Sequence, residues 1–537
     1  MTVLERTNIT AMADRPVPNQ GWLYSVGGVV AAVATYSALH ISARLIASAN
    51  LGEDDPFDAV LTQTLLPGYV PHQLPLYVWL LWLVERATGP GAVSFQLLKY
   101  GLLTATCAFI FAAGRRAMKG DAVWAFLSVE ALALMYQISW RFHEGFTHAV
   151  VAMCAVAATL WAMLRLLERR GFADYALFGV IGGLGLLTVT PFWVYLGALI
   201  GAAALQPAGR RVVMRPAFLL SLAIALAVAT PYLLWLSATP EGIRAILPEL
   251  RIGGAHYWPV ALDGVRRAFT EPVMYLAPLI FLYPIFFPAY LGTLRRTFRL
   301  APQTGPSVDA EQLILHLTLL NIGTLIVGAL AFGINRYPVH ALMPLFLVTS
   351  IWLTAQARRA ARNDGELRRF IIVALSIAAF AFVARCANMY VQEPVCQICR
   401  WGIPYAELAQ AIKARGFERG DLIVYDDDLA GNLRRFFPQA RIVIAGARRY
   451  EPPESAFAPG GETLPGRETL RGGKTAFVWE TSDPAEGLAR GFRAVAGASG
   501  AEAMAKAETL QIPWRHHLWK PDGYRMSEWR LAITERH

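Results

Sequence analysis

Charge is scarce in this sequence. Asp, Glu, Lys and Arg make up 16% of its 537 residues while 55% are hydrophobic, against roughly a quarter charged in ordinary soluble proteins. That excludes a purely soluble enzyme. Cysteine is scarce as well: five residues cannot build a disulfide scaffold, and Cys107, Cys154 and Cys386 sit inside apolar stretches, where a thiol behaves as a small hydrophobe. The segment up to Gln20 lacks a charged region, apolar core and cleavage site in the order of a signal peptide. It reads as a cytoplasmic tail, with the first helix as the targeting signal. No Gly-rich phosphate loop of the Walker type is present, which argues against an ATP-driven pump. The net charge of +10 falls in short clusters between apolar runs, the pattern of cytoplasmic loops rather than of a nucleic-acid binder.

What is abundant is apolar sequence in lengths that suit a bilayer. Candidate spans run 22–47, 95–113, 121–139, 146–166, 174–189, 192–207, 217–236, 273–294, 312–334, 340–357 and 370–388, about eleven in all. Basic clusters follow Arg115, Arg165, Arg210, Arg295 and Arg358. An even number of crossings separates each neighbouring pair, so all five can be cytoplasmic, with the N-terminus inside and the C-terminus outside. This arrangement requires Leu74–Val84 to be an interfacial helix within a long first external loop, residues 48–94; Tyr77, Trp79 and Trp82 suit that place.

The chain therefore divides into a tail (1–21), a membrane domain (22–390) and a polar C-terminal domain (391–537). In the last, AELAQAIKARGF, DLIVYD, GNLRRFF and RIVIAG alternate as helix, strand, helix, strand, and TAFVWET reads as a later strand. Such alternation predicts a small α/β domain with parallel pairing, placed outside the membrane. PPESAFAPGGETLPGRE reads as a loop. Cys396 and Cys399 follow the last span directly, and outside the cytoplasm a Cys-x-x-Cys of this kind is read as a disulfide clip. The fold class is thus mainly α, polytopic, with a C-terminal extracytoplasmic α/β domain.

Chemistry belongs in the external loops. Glu53, Asp54, Asp55 and Asp58 crowd the end of the first span, and carboxylates that close raise one another's pKa or bind a cation. A solvated helix end is the competing reading. The next external loop, SWRFHEGFTHAVV, offers Arg141, His143, Glu144 and His148, and NRYPVHALMPL places Arg336, Tyr337 and His340 at another outer helix end. A guanidinium fork there suits a phosphate, and an aromatic and Arg anchor at the headgroup level is the equal alternative. His143 and His148 are five apart, so they do not share a helical face as a metal-binding pair would. The loop 237–272 adds Arg244, Arg251, His256, Tyr257, Trp258, Arg266 and Arg267.

An acidic pair, then Gln63, then Gly68-Tyr69, then Gln-x-Pro-Leu-Tyr-x-Trp-Leu from Gln73 resembles the first external loop of the GT-C integral-membrane glycosyltransferases. Within them it resembles the group of protein O-mannosyltransferases, lipid A aminoarabinose transferases and bacterial enzymes that glycosylate lipopolysaccharide from polyprenyl-phosphate sugars. The resemblance implies a GT-C-like membrane fold and makes Asp54 the catalytic base, with Asp55 and Glu144 orienting the acceptor or holding a divalent metal. It also implies substrate contacts from His72, Gln73, Arg141, His143 and Tyr337, and from Arg336 to the lipid phosphate. Two departures stand out: Asp55 replaces the usual Glu, and Leu74-Pro75-Leu76-Tyr77 replaces Pro-Pro-Leu-Tyr. The stretch GGLGLLTVTPFW resembles another family segment but carries Val189 where the family has Lys, so its glycines are expected to serve close helix packing.

The expectation is an enzyme that transfers a sugar from a polyprenyl-phosphate donor to lipid A, lipopolysaccharide or another envelope glycan or protein. Transfer would take place at the outer face of a bacterial inner membrane, with inversion at the anomeric carbon. Its partners would be that donor, the acceptor and membrane lipids. A secondary transporter or lipid flippase would show charges in mid-helix and inverted repeats, and neither is evident in the sequence. A non-catalytic scaffold is the third reading.

Overall fold

The computed structural model describes residues 21–71, 73–145, 147–239, 256–297, 307–391, 396, 400–457, 474–515 and 520–535. The chain is mostly helical, and six helices are long and apolar enough to cross a membrane, or up to eight if each of two bent pairs is one span. The first, α1 (Val26–Ala47), starts at Ser25, whose side chain accepts from Gly28 N at 3.1 Å; its 22 residues give about 33 Å, the depth of a hydrocarbon core. The first loop then folds back as two helices, α2 (Asp55–Leu61) and α3 (Leu76–Thr88). After them come the spans α4 (Ala92–Ala117) and α5 (Thr147–Arg169) and, much later, α6 (Asp364–Val391).

Several expected spans take another form. The 121–139 run is a broken helix, bent 70° between Ala133 and Tyr136. The span expected at 273–294 begins earlier, at Tyr257, and bends 59° before Ala277, so half of the expected 237–272 loop is helical. Its Arg266 and Arg267 pair with Asp263, and Arg267 also with Glu271, on the same helix; Arg244 and Arg251 lie outside the described residues. The 340–357 run is two short helices, Val339–Phe346 and Thr349–Ala360. Phe172–Leu186 and Pro191–Leu205 are apolar but short. Within the first of these, Gly183 packs as expected, since a Cβ there would lie 2.8 Å from Val228 Cβ; Gly179, one turn earlier, is as tight, a Cβ there lying 2.6 Å from the Ser221 carbonyl.

The C-terminal domain opens with α7 (Tyr405–Ala414), β1 (Gly420–Val424), α8 (Asp427–Arg434) and β2 (Arg441–Ile444), and adds β3 (Lys474–Glu480), β4 (Glu508–Pro513) and β5 (Met526–Glu535). Strand order is β2-β1-β3-β5-β4. β1 pairs parallel with both β2 and β3, whereas β5 runs antiparallel between β3 and β4. The expected loop after Glu451 keeps one turn, Glu454–Phe457, and continues outside the described residues.

This domain does not stand apart. Phe57, Val60 and Val78 of the first loop share one apolar core with Leu408, Leu429 and Leu433. The edge of the sheet at β2 is closed by a membrane-domain side chain: Gln63 accepts from Ile442 N at 2.8 Å and donates to Ile442 O at 3.0 Å, completing backbone bonds that an edge strand leaves open. The contact between α8 and α2 needs a glycine, because a Cβ on Gly431 would come within 2.2 Å of the Pro56 carbonyl oxygen. The first loop and the C-terminal domain share one packed core.

Candidate active site

The acidic pair of the first loop is split by the backbone. Glu53 takes a left-handed conformation, φ 57°, which L-residues adopt at a cost of roughly 1–2 kcal/mol, and the chain turns there so that Asp54 and Asp55 face different surroundings. Asp54 stands at the N-cap of α2 but makes no capping bond. Its carboxylate is half exposed and faces Arg448 of the C-terminal domain, Oδ1 to Nη2 3.4 Å. Asp55 is buried, 6% exposed, and burial raises its carboxyl above the usual range against the lowering influence of Lys99.

Behind Asp55 lies Asp58, with no exposure at all. Its Oδ1 accepts from Gln73 Nε2 at 2.7 Å and from His148 Nε2 at 3.1 Å, while Oδ2 and His148 Nδ1 have no partner among the described residues. Gln73 also contacts His148 directly. The Gln73 amide, expected on substrate, is thus spent as a strut between the first loop and α5. His72 lies outside the described residues.

Sequence reasoning missed the cations beside this loop. Arg44 of α1, Lys99 of α4 and Arg385 of α6 are all under 9% exposed, each within about two turns of the helix end that borders the loop. Asp55, Arg385, Arg44 and Glu144 all lie within electrostatic reach of Lys99. Arg44 donates to the carbonyls of Ser48 and Asn50 and lies over the Trp401 ring, 3.8 Å from its centre. Arg385 pairs with Glu144 at 3.2 Å. Lys99 approaches the Phe142 ring, 5.3 Å from its centre, and has no hydrogen bond or ion pair among the described residues. These cations lie near helix ends rather than in mid-helix. The signal was present, a Lys and two Arg inside apolar runs, and such residues mark functional sites in membrane proteins.

The second loop touches the first: a Cβ on Gly145 would sit 3.1 Å from Glu53 Cβ. Glu144 there is bound on both oxygens, by Arg141 at 2.8 Å, by Arg385 and by Trp140 Nε1 at 3.1 Å. No group of three His, Cys, Asp or Glu able to hold a metal occurs among the described residues. With Glu144 taken by two guanidiniums and Asp55 facing cations, the pair does not fit a divalent metal, and no step is derived through one. His143, expected on substrate, is packed among aromatic rings instead of standing free. Its ring nitrogens meet the hydroxyls of Tyr36 at 2.9 Å and Tyr100 at 2.7 Å, and its face stacks on His40, centroids 3.8 Å apart.

Arg336 is exposed and pairs with nothing among the described residues, so no contact joins it to the acidic loop. The Tyr337 hydroxyl donates to the carbonyls of Leu325 and Ile334, 2.9 and 3.2 Å, which anchors the chain turn there. The His340 side chain lies outside the described residues. Cys396 is disulfide-bonded, whereas Cys107, Cys154 and Cys386 are free; Cys399 lies outside the described residues.

Comparison with known proteins places this geometry in context. Residues 70–235 match the family described as dolichyl-phosphate-mannose-protein mannosyltransferase. Over 456 residues, 84% of this chain and 88% of the relative, the sequence is 26% identical to the lipopolysaccharide core galacturonosyltransferase RgtA of Rhizobium johnstonii. It is 23% identical to RgtB of the same organism, covering 81% of this chain and 86% of that one. Among solved structures, ArnT from Cupriavidus metallidurans bound to undecaprenyl phosphate superposes with a TM-score of 0.57 at 12% identity, covering 94% of this chain and 98% of that one. The apo form gives 0.53.

Proposed function

We propose that this chain, a multi-pass membrane glycosyltransferase of the GT-C superfamily, moves a sugar from a polyprenyl-phosphate carrier onto a lipopolysaccharide acceptor. Transfer would take place at the outer face of a bacterial inner membrane, with inversion at the anomeric carbon. The observation that carries this reading is the division of labour in the acidic pair. Asp54 is half exposed beside Arg448 of the C-terminal domain, and Asp55 is buried within electrostatic reach of two cations, Lys99 and Arg44. Support for the acceptor comes from the two relatives, both lipopolysaccharide core galacturonosyltransferases, and support for the carrier from the ArnT complex with undecaprenyl phosphate.

In the reaction, the Asp54 carboxylate accepts the proton of the acceptor hydroxyl as its oxygen bonds to the anomeric carbon. The bond between that carbon and the phosphate oxygen breaks on the opposite face, and the phosphate keeps the electron pair. Lys99, the cation with no hydrogen bond or ion pair among the described residues, receives the phosphate charge, with Arg44 and Arg385 beside it. This replaces Arg336 as the phosphate ligand, since Arg336 shows no contact with the acidic loop. A lipid phosphate can reach such a place sideways from the bilayer, which is why the cations lie in helix ends rather than in a soluble domain. Asp55 balances the cluster when no phosphate is bound.

The test is transfer of labelled sugar from a panel of polyprenyl-phosphate sugars to envelope lipids by purified wild type and Asp54→Asn. Labelling by the wild type alone supports the reading. Equal labelling by both removes Asp54 as the base.

A further inference from the structure

The segment that carries the candidate base is gripped residue by residue from the other end of the chain. Ser48 Oγ donates to the Trp401 carbonyl at 2.7 Å. Asn50 Nδ2 donates to the carbonyls of Trp401 at 3.1 Å and Ile403 at 2.8 Å, and Arg435 holds the Ala49 carbonyl and Asn50 Oδ1. Asn432 brackets Leu51, accepting from its N–H at 2.7 Å and donating to its carbonyl at 3.2 Å. Gly52 lies under Arg400 and Trp401, where a Cβ would find both at 3.2 Å. Arg400 pairs with Glu53, and Arg448 with Asp54. Arg448 is itself fixed, bonded to Asp427 Oδ2 at 2.9 Å and lying over the Phe57 ring, 5.2 Å from its centre.

A non-glycine residue in the left-handed region persists where its surroundings over-determine it. Here the strained residue is Glu53, immediately before the exposed Asp54 and the buried Asp55, and its restraints come from residues 400–448 rather than from the membrane domain alone. We propose that the C-terminal domain is a splint for the catalytic loop, with Arg400 and Arg448 as positioning residues that hold Asp54 where it can take the acceptor proton. This rests on the reading of Asp54 as the base. The domain is then part of the catalytic machinery even where it touches no substrate.

The experiment has a kinetic arm and an exchange arm. Arg400→Ala, Arg448→Ala, the double variant and Arg448→Lys are purified as full chains. Donor KM and kcat are measured, and amide hydrogen exchange is followed across residues 48–56. A splint predicts that kcat falls about 10-fold in each alanine variant and about 100-fold in the double, because misplacing a reacting group by about 1 Å costs up to ~100-fold. Donor KM should stay within about threefold of wild type, and Arg448→Lys should recover most of the rate. Exchange should accelerate in residues 48–56 and stay unchanged in β1 and β3. A double variant with kcat within twofold of wild type and unchanged exchange overturns the proposal. So does a rise in donor KM at constant kcat, which would make Arg448 a substrate ligand. If the wild type transfers no sugar, the reading of Asp54 falls, and the exchange arm alone decides whether the domain holds the loop.

Discussion

Lys99 and Asp55 are the two residues whose surroundings say most. Each is a buried ionisable group with no bonded partner among the described residues, and leaving a charge in that state is expensive unless a ligand completes it. Lys99→Met keeps the length and removes the charge. If Lys99 holds the donor phosphate, the variant loses a charge-assisted contact of roughly 1.5–3 kcal/mol, so donor KM rises about 10- to 100-fold. The melting temperature should hold or rise, since a desolvated ammonium has been replaced by an apolar group. Steady-state kinetics with varied donor, beside a thermal melt, checks both; a donor KM equal to wild type would remove Lys99 from the phosphate site. At this scale the sequence was informative about carboxylates and poor about cations. Asp54 and Asp55 stand out because acids crowd a span end. Arg44, Lys99 and Arg385 come from three helices far apart in sequence, and their convergence is a tertiary fact. His143 misled for a related reason: the tyrosines that occupy its ring nitrogens, Tyr36 and Tyr100, lie on other helices.

Among the elements, the first turn of α8 has a marked electrostatic character. Asp426 caps the helix by accepting from Leu429 N at 2.8 Å, and burial pushes its carboxyl up to about 7. Burial also raises Asp428 and Asp483, each to about 6. These groups bind protons more tightly in the folded chain than in the unfolded one, where they titrate near 3.9. Their contribution to stability is therefore full at acid pH and is lost as pH rises from about 4 to about 7, with no further change above. The purified protein should show a higher melting temperature for the C-terminal domain at pH 5 than at pH 8. Asp426→Asn keeps the cap and should flatten that dependence, on the order of 1–2 kcal/mol recovered at pH 8. Thermal melts across the pH range check this, and an Asn variant with the wild-type slope would contradict it. The elements themselves were readable: the helix-strand alternation from Tyr405 to Ile444 appears where periodicity places it. Less readable were the breaks, because a run such as 121–139 is apolar throughout and nothing in its composition announces a 70° bend.

Across the whole molecule, the decisive feature is the union of the two ends of the chain. Gln63 closes the edge of β2, Gly431 lets α8 sit on Pro56, and Asn432 holds Leu51. Gly431→Val places a branched side chain where even a Cβ would overlap Pro56. It should release the C-terminal domain from the first loop while leaving the spans folded. Transfer should fall by at least about 10-fold, and limited proteolysis should cut faster near residue 400; unchanged activity would show that docking is dispensable. None of this could be read in advance, because contacts between residues some 380 apart in sequence leave no local pattern. The boundary at 390/391 marks where composition changes, and the apolar core crosses it.

Whether Asp54 removes the acceptor proton in transfer from a polyprenyl-phosphate sugar is decided by one comparison. Wild type and Asp54→Asn, purified in detergent and shown to melt alike, are supplied with labelled polyprenyl-phosphate sugars and envelope lipid acceptor. The account predicts labelled lipopolysaccharide from the wild type and a rate at least about 100-fold lower from the variant, the loss expected for a general base. Equal labelling by the two proteins would contradict it.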